Sequence, residues 1–242
     1  MKFKAIAVIA TAAALSLGMA GSAAASPLSP KAKPAPQVSG VRLQSALLPA
    51  SAFGDGFRVT QRLNSGKNLR STRAWIKPST LSCANFWSYI FVWGFGNTSG
   101  ATDSVDNPNP AFADYPSLVL AADQSVLQFK TAQAAASFYS QAYTRYKQCS
   151  AFTVNNAFGD GIQLELTNQS LSKTTIGKHQ AFQLIQYVDL TALPALNFYA
   201  NTAVVLSGTN VYTVDDVNGI NDPISASLLG KFINRVQALY RH

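Results

Sequence analysis

Histidine, cysteine and carboxylate side chains carry most protein chemistry, and this sequence holds few of them. There are two histidines, His179 and the C-terminal His242. A Ser-His-Asp group needs His179 beside a positioned serine, and no G-x-S-x-G elbow is present. Gly177-Lys178-His179-Gln180 reads instead as a turn between strands. Of the 11 acidic residues only Glu165 is a glutamate. No two aspartates stand out as a glycosidase pair, and Asp215 and Asp216 point to opposite faces if they lie on a strand. Ser170-x-x-Lys173 matches the first element of a penicillin-binding active site, but its companions S-D-N and K-T-G are absent. No phosphate-cradling glycine loop is found. The chain therefore reads as non-enzymatic and without a cofactor. An exported hydrolase with an unrecognised site near His179 is the competing reading.

Cys83 and Cys149 are the two cysteines. They sit in a chain that opens like an export signal: Lys2 and Lys4 in a positive n-region, an apolar stretch from Ala5 to Met19, and Ala23 and Ala25 at the small positions of a cleavage site. The apolar stretch is short for a span, and no later run approaches one. Residues 1–25 are thus expected to be a signal peptide, and the mature chain to be secreted, monomeric and without a membrane span. A cysteine pair in an exported chain reads as a disulfide. Two cysteines and His179 at no recognisable spacing make no metal site. Residues 26–43, with four prolines among the first eleven, read as a flexible spacer. The folded domain is expected over 44–242.

Two stretches could meet a ligand. From Arg58 to Lys77 the chain carries Arg58, Arg62, Lys67, Arg70, Arg73 and Lys77 and no acid. It is either a solvated loop or a face for anionic envelope polymers or lipid. Export, and the lack of interleaved base-stacking residues, argue against nucleic acid. Phe86 to Phe95 is the densest aromatic stretch. As a strand it aligns Trp87, Phe91 and Trp93 on one face; as a helix capped near Ser82 it puts Trp93 with Phe86 and Ile90 on one side and Trp87 with Phe91 on another, and periodicity leaves both open. Aromatic residues of this size belong first in a core. As a pocket wall, Trp87, Phe91 and Trp93 are the candidate ligand-binding residues.

The elements that would position these residues are easier to read. Ser125–Phe129 is a strand, and Thr131 then caps a helix to Lys147 with Ala135, Ala142, Tyr139 and Tyr146 in its apolar stripe, ending at Cys149. A last helix is expected over Asp222–Tyr240, with Asp222 as N-cap and Pro223 in the first turn. Further strands are expected at Phe57–Thr60, Ala101–Val105, Ser117–Ala121, Gln163–Asn168, Ala181–Leu190, Asn197–Leu206 and Asn210–Asp215, joined by short turns as in an antiparallel sheet. The pentapeptide at Ala52–Gly56 recurs at Ala157–Gly161 and reads as a reused turn.

Four segments together resemble the PknH-like extracellular sensor domain of actinobacterial receptor kinases and their secreted or lipid-anchored relatives. They are Leu47-Leu-Pro-Ala-Ser-Ala-Phe53, Ser82-Cys83, Val126-Leu-Gln-Phe-Lys-Thr-Ala-Gln-Ala-Ala134 leading to Tyr146-Lys-Gln-Cys149, and the closing strand and helix. The resemblance implies one α+β domain, a largely antiparallel sheet packed by two main helices around a ligand-binding cleft. It implies a sensor-like role for an unidentified small or polymeric envelope ligand. The chain departs from that family in having two cysteines rather than four, and no kinase domain, span or lipid-attachment cysteine.

Overall fold

The computed structural model describes residues 36–65, 81–89, 99–107, 120–155, 163–191, 197–217 and 221–241. The signal-like segment, Phe91, Trp93, Lys67, Arg70, Arg73, Lys77 and the second copy of the pentapeptide lie outside them. Where the sequence alternates, strands form: β1 Arg58–Asn64, β2 Ser99–Asn107, β3 Leu120–Gln128, β4 Ala151–Val154, β5 Leu164–Ile176, β6 His179–Leu190, β7 Phe198–Ser207 and β8 Asn210–Val217. They make one antiparallel sheet in the order β1-β2-β3-β8-β7-β6-β5-β4. The turn expected at Gly177-Lys178-His179-Gln180 joins β5 to β6 but is shorter, since His179 and Gln180 already pair with Ile176 and Thr175. Gly177 sits at φ +58°, a left-handed conformation that suits glycine.

Helices cover both faces. On one, α3 (Ala132–Gln148) starts where expected: Thr131 Oγ1 accepts from the Ala134 N–H at 3.1 Å. Its Ala135, Phe138, Tyr139, Ala142 and Tyr146 pack on Leu127, Phe182, Leu184, Val204 and Val211. The disulfide Cys83–Cys149 joins the end of α3 to α2 (Cys83–Tyr89). The aromatic stretch thus begins as a helix, with the Asn85 N–H donating to Ser82 Oγ at 3.2 Å. On the other face, α1 (Gly40–Ser45) and α4 (Ala226–Ala238) bury Leu43, Leu229, Phe232, Ile233 and Val236 against Val126, Val205, Tyr212 and Val214. Each such side chain contributes about 1.5–3 kcal/mol relative to exposure. The result is mostly sheet, an α+β fold with one disulfide.

Three expectations are corrected. The fold begins before residue 44: Val38 is buried, and its N–H donates to Gln128 Oε1 at 2.7 Å, because a buried glutamine on β3 supplies the partner that this stretch lacks locally. β3 is one strand rather than two, since Asp123 and Gln124, which interrupt the apolar pattern, have partners on opposite faces of the sheet. The last helix starts at Ala226 with Ser225 as cap, not at Asp222. The residues before it are held against β6, where Gln183 Nε2 donates to the Ile224 carbonyl at 3.2 Å and the Ile224 side chain is buried.

Candidate functional site: an acid-bearing polar row under α3

Period-two alternation sends odd-numbered residues of β3 and β8 to the α3 face. Across that face, at one level, register aligns Ser104 of β2, Asp123 of β3, Asp215 of β8 and Thr202 of β7. Ser104 Oγ donates to Asp123 Oδ1, and Thr202 Oγ1 donates to Asp215 Oδ1 at 2.7 Å. The next level carries Thr102, Ser125 and Thr213, all buried. The Ser125 hydroxyl is 1% exposed and has no hydrogen-bond partner. Tyr146 reaches down from α3, with its phenol hydrogen-bonded to Thr202 and close enough to Asp215 to feel its charge.

Two carboxylates directly opposite on neighbouring strands repel when both are ionised. Burial raises the pKa of Asp123, against the Ser104 hydrogen bond, which lowers it. Burial raises that of Asp215 to about 8; the Thr202 hydrogen bond opposes this, and the charges of Asp123 and Asp216 add to it. No arginine or lysine among the described residues forms an ion pair with either acid; the ion pairs seen there are Arg58–Asp106 and Arg62–Asp103. At neutral pH the pair can hold one proton and one negative charge. It can accept from hydroxyls and amines, bind a cation, or exchange a proton. Ser104 and Asp123 are half-buried, so the row is approached from the β2 side.

The residues singled out from sequence are scattered by comparison. His179 opens β6, with its Nε2 3.4 Å from Gln237 Nε2 of α4, and burial and Lys178 lower its pKa. Ser170 and Lys173 fall on opposite faces of β5, the lysine over the Tyr143 ring at 4.5 Å. Trp87 packs, partly buried, against the apolar cluster of Leu164, Leu166, Val188 and Leu190. Arg58 and Arg62 approach Asp106 and Asp103 at 3.3 and 3.5 Å. A bulge between Val59 and Gln61 turns these two arginines to opposite faces of the sheet. Asp216 faces away from Asp215, as expected, into a solvent-open cleft of about 350 Å³ beside Phe53, Ile224 and Lys231. The acid pair itself escaped the sequence reading, because only strand register brings Asp123 to Asp215.

Fold and row together define a mostly antiparallel α+β domain with an acidic, hydroxyl-rich patch beneath one helix. No protein-family profile and no curated protein matches the sequence. Among solved structures the fold is similar to the extracellular domain of PknH from Mycobacterium tuberculosis, with a TM-score of 0.56 and 12% identity, over 84% of this chain and 98% of that one. At that identity the likeness is one of fold, and at that level the resemblance expected from sequence holds.

Proposed function

We propose that the chain is an exported, non-enzymatic binding or sensor-like domain that takes an envelope ligand against the polar row. The observation that carries this reading is the row itself. Buried carboxylates and an unpartnered hydroxyl destabilise a core that apolar residues would hold better, so their presence is explained by what they bind. The fold likeness to an extracellular sensor domain supports the same reading. Residues 1–25 act as the signal that delivers the chain outside the cell, where the Cys83–Cys149 disulfide is stable and the domain works as a monomer. Trp87, Phe91 and Trp93 supply the apolar wall of the cleft. Lys67, Arg70, Arg73 and Lys77 supply contacts to anionic groups of a polymeric ligand, a role in which Arg58 and Arg62 share less because each already faces an aspartate.

Thermal unfolding of the exported protein with fractionated envelope extracts tests this: one fraction is expected to raise the midpoint. A second reading, an exported hydrolase, is favoured by one feature, the pairing of Asp123 with Asp215, whose pKa burial pushes up to about 8. Turnover of an extract component that Asp215→Asn or His179→Ala abolishes would overturn the binding reading.

A further inference from the structure

We propose that the row is a site for a hard divalent cation, calcium or magnesium, held between the carboxylates of Asp123 and Asp215 with hydroxyls from Ser104, Ser125 and Thr202. The inference rests on the reading of the row as the binding site, and adds the ligand's class.

Three observations converge on it. Asp123 and Asp215 are directly paired across β3 and β8, and none of the ion pairs among the described residues involves either. Two ionised carboxylates in that position repel unless a proton is held there or a cation takes its place. The groups on this patch are all oxygen donors: two carboxylates, then Ser104, Thr202, Ser125, Thr102 and Thr213 at the same or the next level of the sheet. Such a set suits calcium or magnesium and not the transition metals, which prefer imidazole or thiolate. Ser125 Oγ is buried to 1% exposure without a partner, on the same face as Asp123 and two positions along the strand. Leaving a buried hydroxyl unpaired is costly, and an ion bound on this face would supply its partner. Two carboxylates match the charge of one divalent ion, and their half-buried edge at Asp123 gives it a way in. With no third acid in the set, affinity falls in the weak range of extracellular calcium modules, about 10⁻⁴–10⁻³ M. That range suits a protein bathed in millimolar calcium or magnesium.

The test is isothermal titration of the full exported chain, stripped with chelator, against calcium chloride and magnesium chloride at fixed pH and ionic strength. One saturable ion per chain is expected for at least one of the two metals. Asp123→Asn and Asp215→Asn should each weaken binding about tenfold or more, and Ser125→Ala severalfold. Asp222→Asn, beyond the other face of the sheet, should bind as the unaltered chain does. Circular dichroism checks that each variant is folded, and Ser125→Ala, the mildest change, keeps the test decisive if an aspartate variant is not. Absence of saturable binding to either metal, or binding that both aspartate variants and Ser125→Ala retain in full, would overturn the inference. If metal binding is absent while native mass spectrometry shows an organic adduct that Asp215→Asn removes, the cation inference falls and the binding reading stands. If both are absent, both fall.

Discussion

Gln124 offers Leu48 both halves of a peptide group. Its Oε1 accepts from the Leu48 N–H at 2.8 Å, and its Nε2 donates to the Leu48 carbonyl at 2.8 Å. Two pleat repeats further along β3, Gln128 does the same for the chain entering the fold, accepting from Val38 N–H at 2.7 Å and donating to the Pro36 carbonyl at 3.0 Å. Both glutamines are fully buried. They stand in for a strand that the N-terminal segment does not form. Gln124→Leu keeps the volume and leaves two backbone groups of Leu48 without partners. A loss of about 2–4 kcal/mol is expected in urea unfolding; a loss under about 0.5 kcal/mol would show that water replaces the glutamine.

Asp215 gives the protein a distinctive pH dependence. Its pKa rises from 3.8 unfolded to about 8 folded, so the native state holds the proton more tightly. The stability this contributes is complete below the unfolded value and is lost as pH climbs through the folded one. In chelator, the thermal midpoint should therefore fall from pH 5 to pH 9. Asp215→Asn, which mimics the protonated acid, should flatten that slope and unfold at a higher temperature than the unaltered chain at pH 8. Equal slopes would place the charge elsewhere.

Cys83 and Cys149, 66 positions apart, close a long loop. Reducing the bond releases unfolded-state entropy worth about 4 kcal/mol and should lower the midpoint by roughly 10 °C. The first region to loosen should be α2, which the Phe86–Tyr146 ring contact also ties to α3, as the Arg145 guanidinium on the Leu81 carbonyl ties the residues just before it. Hydrogen exchange along 83–89 checks this. Unchanged protection there would contradict it.

Gly40 begins α1 against the ends of β1 and β2. A Cβ there would lie 2.5 Å from Ser65 N and 2.7 Å from the Gly100 carbonyl oxygen, both backbone atoms. Those two atoms already bond each other at 2.9 Å. Gly40→Ala must push α1 off the sheet, and a loss of about 1–3 kcal/mol is expected. Gly230→Ala, which meets nothing within 4 Å in mid-helix, should stabilise by up to about 1 kcal/mol.

Local signals were legible where they suffice. Thr131 as a cap, the stripe of α3, the Gly177 turn and the cysteine pair all follow from spacing or composition, and the structure contains each. What spacing cannot carry is register. Arg58 and Arg62, four apart, would share a face on a regular strand, and a bulge between them separates them. A second bulge, between Asn168 and Ser170, shifts the alternation so that Leu166 and Leu171 share the α3 face. That shift makes β5 read as ending near residue 168 when it continues to Ile176. Asp123 read as a break between two strands because its partners, Ser104 and Asp215, come from other strands. The candidate site is made of just such cross-strand pairs, which is why it was invisible in one dimension.

Native mass spectrometry of the protein recovered from culture medium, beside its Asp123→Asn/Asp215→Asn variant, tests the binding reading most directly. The expected result is a mass above that of the disulfide-closed chain lacking residues 1–25, with the excess absent from the variant. A bare wild-type chain, or an excess that the variant keeps, would contradict it.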